Sequence, residues 1–135
     1  MCLHRRVCLA VALATAVAVP LLAGNAHFVG TPDVTENGAT LTVSGKVAGL
    51  GNVPQIHVEL TADAACINGG GHNPDAANKS TFSAGGDFPV QNGKALFELA
   101  LLATFQPSCN PPMTVDWSNV RLLVTAADGT SLSFP

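Results

Sequence analysis

The sequence predicts an all-β protein, an antiparallel immunoglobulin-like β-sandwich held by one disulfide, and three observations carry that reading. Apolar and polar residues alternate with period two in several stretches. Asn-Gly or Asp-Gly pairs fall between extended segments at Asn37-Gly38, Asn92-Gly93 and Asp128-Gly129. No capped helical period competes, and Pro and Gly punctuate the chain between the turns.

The N-terminus is set apart before the strands are read. Met1 to Arg6 is short and basic, Val7 to Leu22 is apolar apart from Thr15 and Pro20, and Gly24 and Ala26 place small residues at −3 and −1 of a cut after Ala26. This is the three-part layout of a secretory signal peptide over residues 1–26. The apolar run approaches the length of an uncleaved anchor, but Pro20 and the small-residue exit favour cleavage. A cut after Gly24 is the alternative. Leu22-Ala23-Gly24 begins like a lipobox, yet Asn25 stands where the lipid-accepting cysteine is required. Arg5-Arg6 lacks the neighbours of a twin-arginine signal, so general secretion is expected.

Cleavage after Ala26 leaves residues 27–135, enough for one domain with its own core. Lys46, Lys79, Lys94 and Arg121 then stand against nine acidic residues, a formal charge of −5. Nucleic acid and anionic membrane surfaces are bound through clustered Lys and Arg, so neither is an expected partner. Cys2 and Cys8 leave with the leader. Cys66 and Cys109 remain, an even pair in an oxidising compartment, and are expected to form a disulfide. Closing that loop should stabilise the fold by roughly 4 kcal/mol on the chain-entropy view.

The strands follow in order. "ATLTVSGKV" (39–47) sets Leu41, Val43 and Val47 against Thr40, Thr42, Ser44 and Lys46, and "QIHVELTAD" (55–63) sets Ile56, Val58, Leu60 and Ala62 against His57, Glu59, Thr61 and Asp63. Each should have one wet face. "KALFELALLATF" (94–105) is apolar on both faces and reads as a central strand covered on each side; its length and Leu/Ala content would also suit a helix, but Asn92-Gly93 turning into it from "FPVQ" decides for a strand. "VRLLVTA" and "SLSF" form a last hairpin about Asp128-Gly129. Trp117 alternates in phase with Val115 and is assigned to the core.

Between the strand ending at Asp63 and the next extended segment lies "CINGGGHNP" (66–74). Pinned at Cys66 to the proline-rich "QPSCNPP", it reads as a loop at one end of the sandwich. Its three glycines lack the Lys and Ser/Thr of a phosphate-cradling loop and open no helix. As a connector it needs only glycines that tolerate positive φ and the turn begun by Asn73-Pro74. Its second reading is a binding loop made of Asn68, Gly69, Gly70, Gly71, His72 and Asn73. Asn78-Lys79-Ser80 is a glycosylation acceptor in a host that glycosylates secreted proteins.

"AHF" after the leader, "AGLGN" (48–52), "CINGGGHNPDAANKS" (66–80) and "NGKA" (92–95), with a second cysteine near prolines, resemble a group of small secreted proteins of unknown function from high-GC Gram-positive bacteria. The resemblance covers most of residues 27–135. It implies secretion and a single domain and carries over no catalytic residue.

Catalytic constellations are thin. His57 has Glu59 beside it on one strand face, but no serine sits in a nucleophile elbow, no cysteine is left free, and nothing selects a glycosidase carboxylate pair. Sugar stacking is poorly supplied by one Trp, no Tyr and six Phe that a small core can absorb. Copper is the sharpest alternative. With a cut after Ala26, His27 offers an amine and an imidazole, to which His57 or His72 could add a nitrogen; with a cut after Gly24 the chain starts Asn-Ala-His, a copper and nickel motif. The sequence therefore predicts a secreted extracellular protein with no enzymatic role and no cofactor, acting through interaction with an extracellular protein or the cell envelope or in a structural role, with copper binding through an N-terminal histidine as the alternative.

Overall fold

The computed structural model describes residues 25–68 and 78–135. Eight strands follow in chain order: β1 (His27–Phe28), β2 (Asp33–Asn37), β3 (Thr40–Ala48), β4 (Gln55–Ile67), β5 (Lys79–Pro89), β6 (Ala95–Leu102), β7 (Thr114–Ala126) and β8 (Ser131–Phe134). All pairings are antiparallel. In sheet A, β6 runs along one edge of β3, while β2 and β1 share the other, opposite residues 40–44 and 47–48. Sheet B has the order β5-β4-β7-β8. The expected all-β fold with antiparallel sheets is thus present. The strand order is compatible with an immunoglobulin-like arrangement, β3 and β6 standing for strands B and E, β4 and β7 for C and F.

One core lies between the sheets. On β4, Ile56, Val58, Leu60 and Ala62 are fully buried and Ala64 and Cys66 nearly so, while β3 contributes Leu41, Val43 and Val47. Each large aliphatic side chain buried in this way contributes roughly 1.5–3 kcal/mol. The inward row of β4 shrinks toward its C-terminal end, from Ile, Val and Leu to Ala, Ala and Cys. Aromatic rings fill the space this leaves: Phe82 meets Phe105 and Trp117 edge to face at 6.2 and 6.0 Å. Trp117 is a core residue, as its phase predicted, and its indole N–H donates to the Gly38 carbonyl at 3.1 Å. At the other end Phe97 packs against Phe28 and Phe88, and Phe28 also against Phe134. All six phenylalanines are spent on the core, as their number suggested.

Three expectations need correction. The 94–105 segment is not a central strand covered on both sides. β6 is an edge strand that alternates, with Ala95, Phe97 and Leu101 buried and Leu96 and Leu102 71% and 64% exposed. Leucine on the outward positions made an ordinary one-faced strand look two-faced. Next, Asn92-Gly93 does not join neighbouring strands of one sheet. Both residues have positive φ (53° and 74°) and close a single bridge, Gln91 to Lys94, but β5 belongs to sheet B and β6 to sheet A, so the turn carries the chain across the sandwich. Finally, β4 runs on past Asp63 to Ile67, so Cys66 is a strand residue and the loop leaves from Asn68.

The other two turns are local hairpins. Asn37 pairs with Thr40, so the β2–β3 loop is Gly38-Ala39, with positive φ at its first residue only, as a type II′ turn requires. The β7–β8 loop is Ala127-Asp128-Gly129, with Gly129 at φ 88° and Asp128 accepting the Thr130 N–H. Cys66 and Cys109 are bonded, their Cα atoms 5.8 Å apart, and tie the β6–β7 connection to the end of β4.

Within β7 the inward phase changes. Val115 and Trp117 point in from odd positions, then Leu122, Val124 and Ala126 from even ones. The register against β4 slips by one between Thr61 and Asp63, so Asn119 and Val120 together oppose Ala62. Asn119, one of the two residues in the bulge, takes the left-handed conformation (φ 51°).

Two stability outcomes follow. Cys109→Ala should lower unfolding free energy by roughly 2–5 kcal/mol, read from denaturant melts, because it opens a loop of 43 residues. Gly45→Ala should cost about 1–3 kcal/mol, since its Cβ would lie 2.8 Å from the ring of buried Phe97, which crosses the glycine in the facing strand; an unchanged melt would show that the ring has room to move.

Candidate functional site

The outward row of β4 carries His57, Glu59, Thr61, Asp63 and Ala65, at the wet positions the alternation predicted. Cross-strand pairing surrounds that row. On β5, Asp87 faces His57, Gly85 faces Glu59, Ser83 faces Thr61 and Thr81 faces Asp63. On β7, Thr125, Leu123 and Arg121 face His57, Glu59 and Thr61, while Ser118 faces Asp63 beyond the bulge. Most of these side chains are short, so the face is low and open.

Two polar clusters are fixed on it. His57 Nδ1 lies 2.8 Å from Asp87 Oδ1, and Nε2 lies 3.0 Å from Glu59 Oε2. Both partners are acceptors only, so just the doubly protonated ring satisfies both bonds. The pKa of His57 is accordingly raised above 6.5, by the hydrogen bond to Asp87 first and that to Glu59 second. Gly85 is part of this arrangement: a Cβ there would come within 2.9 Å of Glu59 Oε2 and 3.3 Å of the His57 ring. Its hydrogen side chain leaves the space the ion pair occupies.

The second cluster centres on Asp63. Thr81 Oγ1 donates to Oδ1 at 2.6 Å, and Asn119 Nδ2 donates to Oδ2 at 2.8 Å. These two bonds, helped by the charge of Arg121, hold the Asp63 pKa below 3.8. The bulge is what brings Asn119 here. Asp63 lines a groove of about 620 Å³ along the outer face, floored by Ala65 and Ile67 and bounded by Lys79 and Thr81 on β5 and by Asp116 and Ser118 on β7. The groove lies at the disulfide end, between the residues from which the glycine-rich loop leaves and rejoins the sheet.

The remaining predicted positions are distributed as follows. Cys66 and Cys109 form the disulfide and offer no thiol. His27 opens β1 at the margin of sheet A, exposed, its Nδ1 hydrogen-bonded to the Asn25 carbonyl oxygen. Asn68 is exposed just beyond β4. Gly69, Gly70, Gly71, His72 and Asn73 lie outside the described residues. Among the described residues no group of three or more His, Cys, Asp or Glu is placed to hold a metal; His27 stands on sheet A and His57 on sheet B. Likewise, among those residues no helix is long and apolar enough to cross a membrane.

Sequence reasoning found the His57–Glu59 neighbours but missed Asp87, Asp63, Thr81 and Asn119. Asp87 and Thr81 were recoverable only by pairing β5 with β4. Asn119 had a local signal, the change of apolar phase between Trp117 and Leu122.

The His57 pair yields a measurable pH dependence. A histidine whose folded pKa is raised contributes stability fully present below pH 6.5 and lost as pH rises through the folded pKa. Ring-proton NMR should give a His57 midpoint above 6.5. Asp87→Asn should return it toward 6.5 by more than Glu59→Gln does, and a wild-type midpoint at or below 6.5 would contradict the arrangement.

Comparison with known proteins returned no match: no protein-family model fits the chain, nor does any curated protein or solved structure.

Proposed function

We propose that the protein is secreted and acts outside the cell without catalysis, presenting the outer face of sheet B to an extracellular or cell-envelope partner. The observation that carries this is Asp63, whose two carboxylate oxygens are held by Thr81 and Asn119 in a groove on the outer face of sheet B. Ordering a flexible side chain at an interface costs roughly 0.5–1.5 kcal/mol. Here that ordering is present before any partner arrives, which favours recognition. Such bonds add little to stability at a half-exposed site, so their arrangement is better accounted for by what the face meets.

The non-enzymatic part of the reading has its own support. Both nitrogens of His57 are engaged by carboxylates, so a hydroxyl nucleophile would have to displace one of these hydrogen bonds before the ring could act as its base. Cys66 and Cys109 are consumed by their bond. Secretion is favoured by the leader pattern of residues 1–26 together with that bond, since disulfides persist in oxidising compartments. An immunoglobulin-like sandwich is also an architecture common among cell-surface domains.

The test is sedimentation of the purified secreted chain with washed cell walls from a high-GC Gram-positive bacterium. The wild type should pellet with the walls. Asp63→Ala combined with Thr81→Ala should stay in the supernatant, and Thr35→Ala on the outer face of sheet A should behave as wild type. A chain that never pellets, or one that pellets equally with and without the Asp63 cluster, would remove this reading.

A further inference from the structure

We propose that the folded domain begins at Asn25, after cleavage of the Gly24–Asn25 bond, and that Asn25-Ala26-His27 then forms a square-planar four-nitrogen site for Cu(II) or Ni(II). The inference is independent of the partner surface on sheet B, which lies on the other sheet.

The packing of the two residues before β1 carries the first half. Ala26 is half-buried and packs against the core. The Asn25–Ala26 peptide lies directly over Gly49, where a Cβ would collide with the Asn25 carbonyl and stand 3.0 Å from the Ala26 nitrogen. Gly49 has φ 75°, a conformation that already favours glycine, and its bare face is covered by this peptide. A chain cut after Ala26 loses both contacts and places a charged amine at the first pairing position of β1, opposite Ala48. A chain cut after Gly24 keeps them. Residues 25 and 26 therefore behave as part of the domain, although Gly24 and Ala26 suit the later cut at −3 and −1.

The chemistry follows from that start. Hydrolysis adds hydroxyl to the Gly24 carbonyl carbon and hydrogen to the Asn25 nitrogen, which becomes an α-amine. Histidine is then the third residue, and neither of the first two peptide nitrogens belongs to proline. Cu(II) and Ni(II) favour planar nitrogen sets of this kind. The ligands are the Asn25 amine, the Ala26 and His27 amide nitrogens, and His27 Nδ1. The ammonium proton and two amide protons leave to solvent, and no electron is transferred. Nδ1 is the ring nitrogen this chelate uses, and the ring already folds back toward residue 25, where Nδ1 meets the Asn25 carbonyl oxygen. Binding draws the His27 amide away from Ala48 at the margin of a two-residue strand, while the Val29 N–H keeps its bond to the Lys46 carbonyl at 2.8 Å. A chain starting at His27 offers only an amine and one imidazole, and among the described residues no group of three or more His, Cys, Asp or Glu is placed to hold a metal.

The test uses the whole chain, leader included, exported by a secreting bacterial host. Intact mass of the secreted form should correspond to a first residue of Asn25. Titrated with Cu(II) in the presence of glycine as competitor, it should take up one ion per chain with the electron-paramagnetic signature of four in-plane nitrogens. The NMR signal of Ala48 should shift or broaden, whereas those of Val124 and Leu60 should not. His27→Ala should abolish this binding, and so should one alanine inserted between Asn25 and Ala26, which keeps the histidine but breaks its spacing. Circular dichroism should show both variants folded. A secreted chain beginning at any other residue overturns the proposal, as does Cu(II) binding that survives either variant.

Discussion

The period-two alternation of β4 is the constraint on which the rest of the molecule depends. Its inward residues, from Ile56 to Cys66, are all at least 96% buried, and its outward residues carry His57, Glu59 and Asp63. Both neighbours pair along nearly its whole length, so one strand sets the register of β5 and β7 together. A slip of one residue would bring the charged row into the core and the aliphatic row into water. Burial of six consecutive inward side chains therefore fixes where the polar clusters stand. The site is a consequence of the core.

The bulge in β7 breaks the alternation and shifts its register by one. With a regular strand, Trp117 and Leu122 could not both point inward, because their positions differ by an odd number. Inserting one residue opposite Ala62 reconciles the two, letting the indole fill the space over the small residues Ala64 and Cys66 while Leu122 and Val124 remain in the main core. The left-handed backbone at Asn119 is the local cost. It also turns the amide onto Asp63. Packing demand and polar geometry meet at a single residue, and asparagine is one of the few side chains that tolerates that conformation and still offers a donor.

What the sequence made legible was whatever depended on local pattern. The one-faced character of 55–63, the core placement of Trp117, the disulfide and two of the three hairpins were all written in spacing of residues close along the chain or in a cysteine count. What escaped was pairing between distant segments. Asp87 is thirty residues from His57, and nothing in "GGDFP" marks it as that histidine's partner until β5 is laid against β4. The same limit explains β6. Composition records that Leu96 and Leu102 are apolar, but only topology reveals that their face has no sheet or helix over it among the described residues. Asn92-Gly93 misled for a related reason: two residues of positive φ reverse the chain, but whether the reversed strand joins the same sheet is decided by what each strand buries.

The two outer faces contrast in a way that bears on function. On sheet A, Thr40, Thr42, Ser44 and Lys46 of β3 lie beside Leu96, Glu98, Ala100 and Leu102 of β6, with no side-chain hydrogen bond among these described residues. On sheet B, six side chains are joined in two clusters of three by four hydrogen bonds of 2.6–3.0 Å, with Asn119 reaching across from β7. Solvent would satisfy these same groups at almost equal free energy, so fold stability gives little reason for the difference between the faces. Glycine at position 85 sharpens the point. Within a strand it forgoes packing and costs backbone entropy, and the space it vacates is taken by the His57–Glu59 pair. An order that stability does not require, maintained at some cost to the strand that holds it, is what a recognition surface needs, and it supports the proposal that the outer face of sheet B is such a surface.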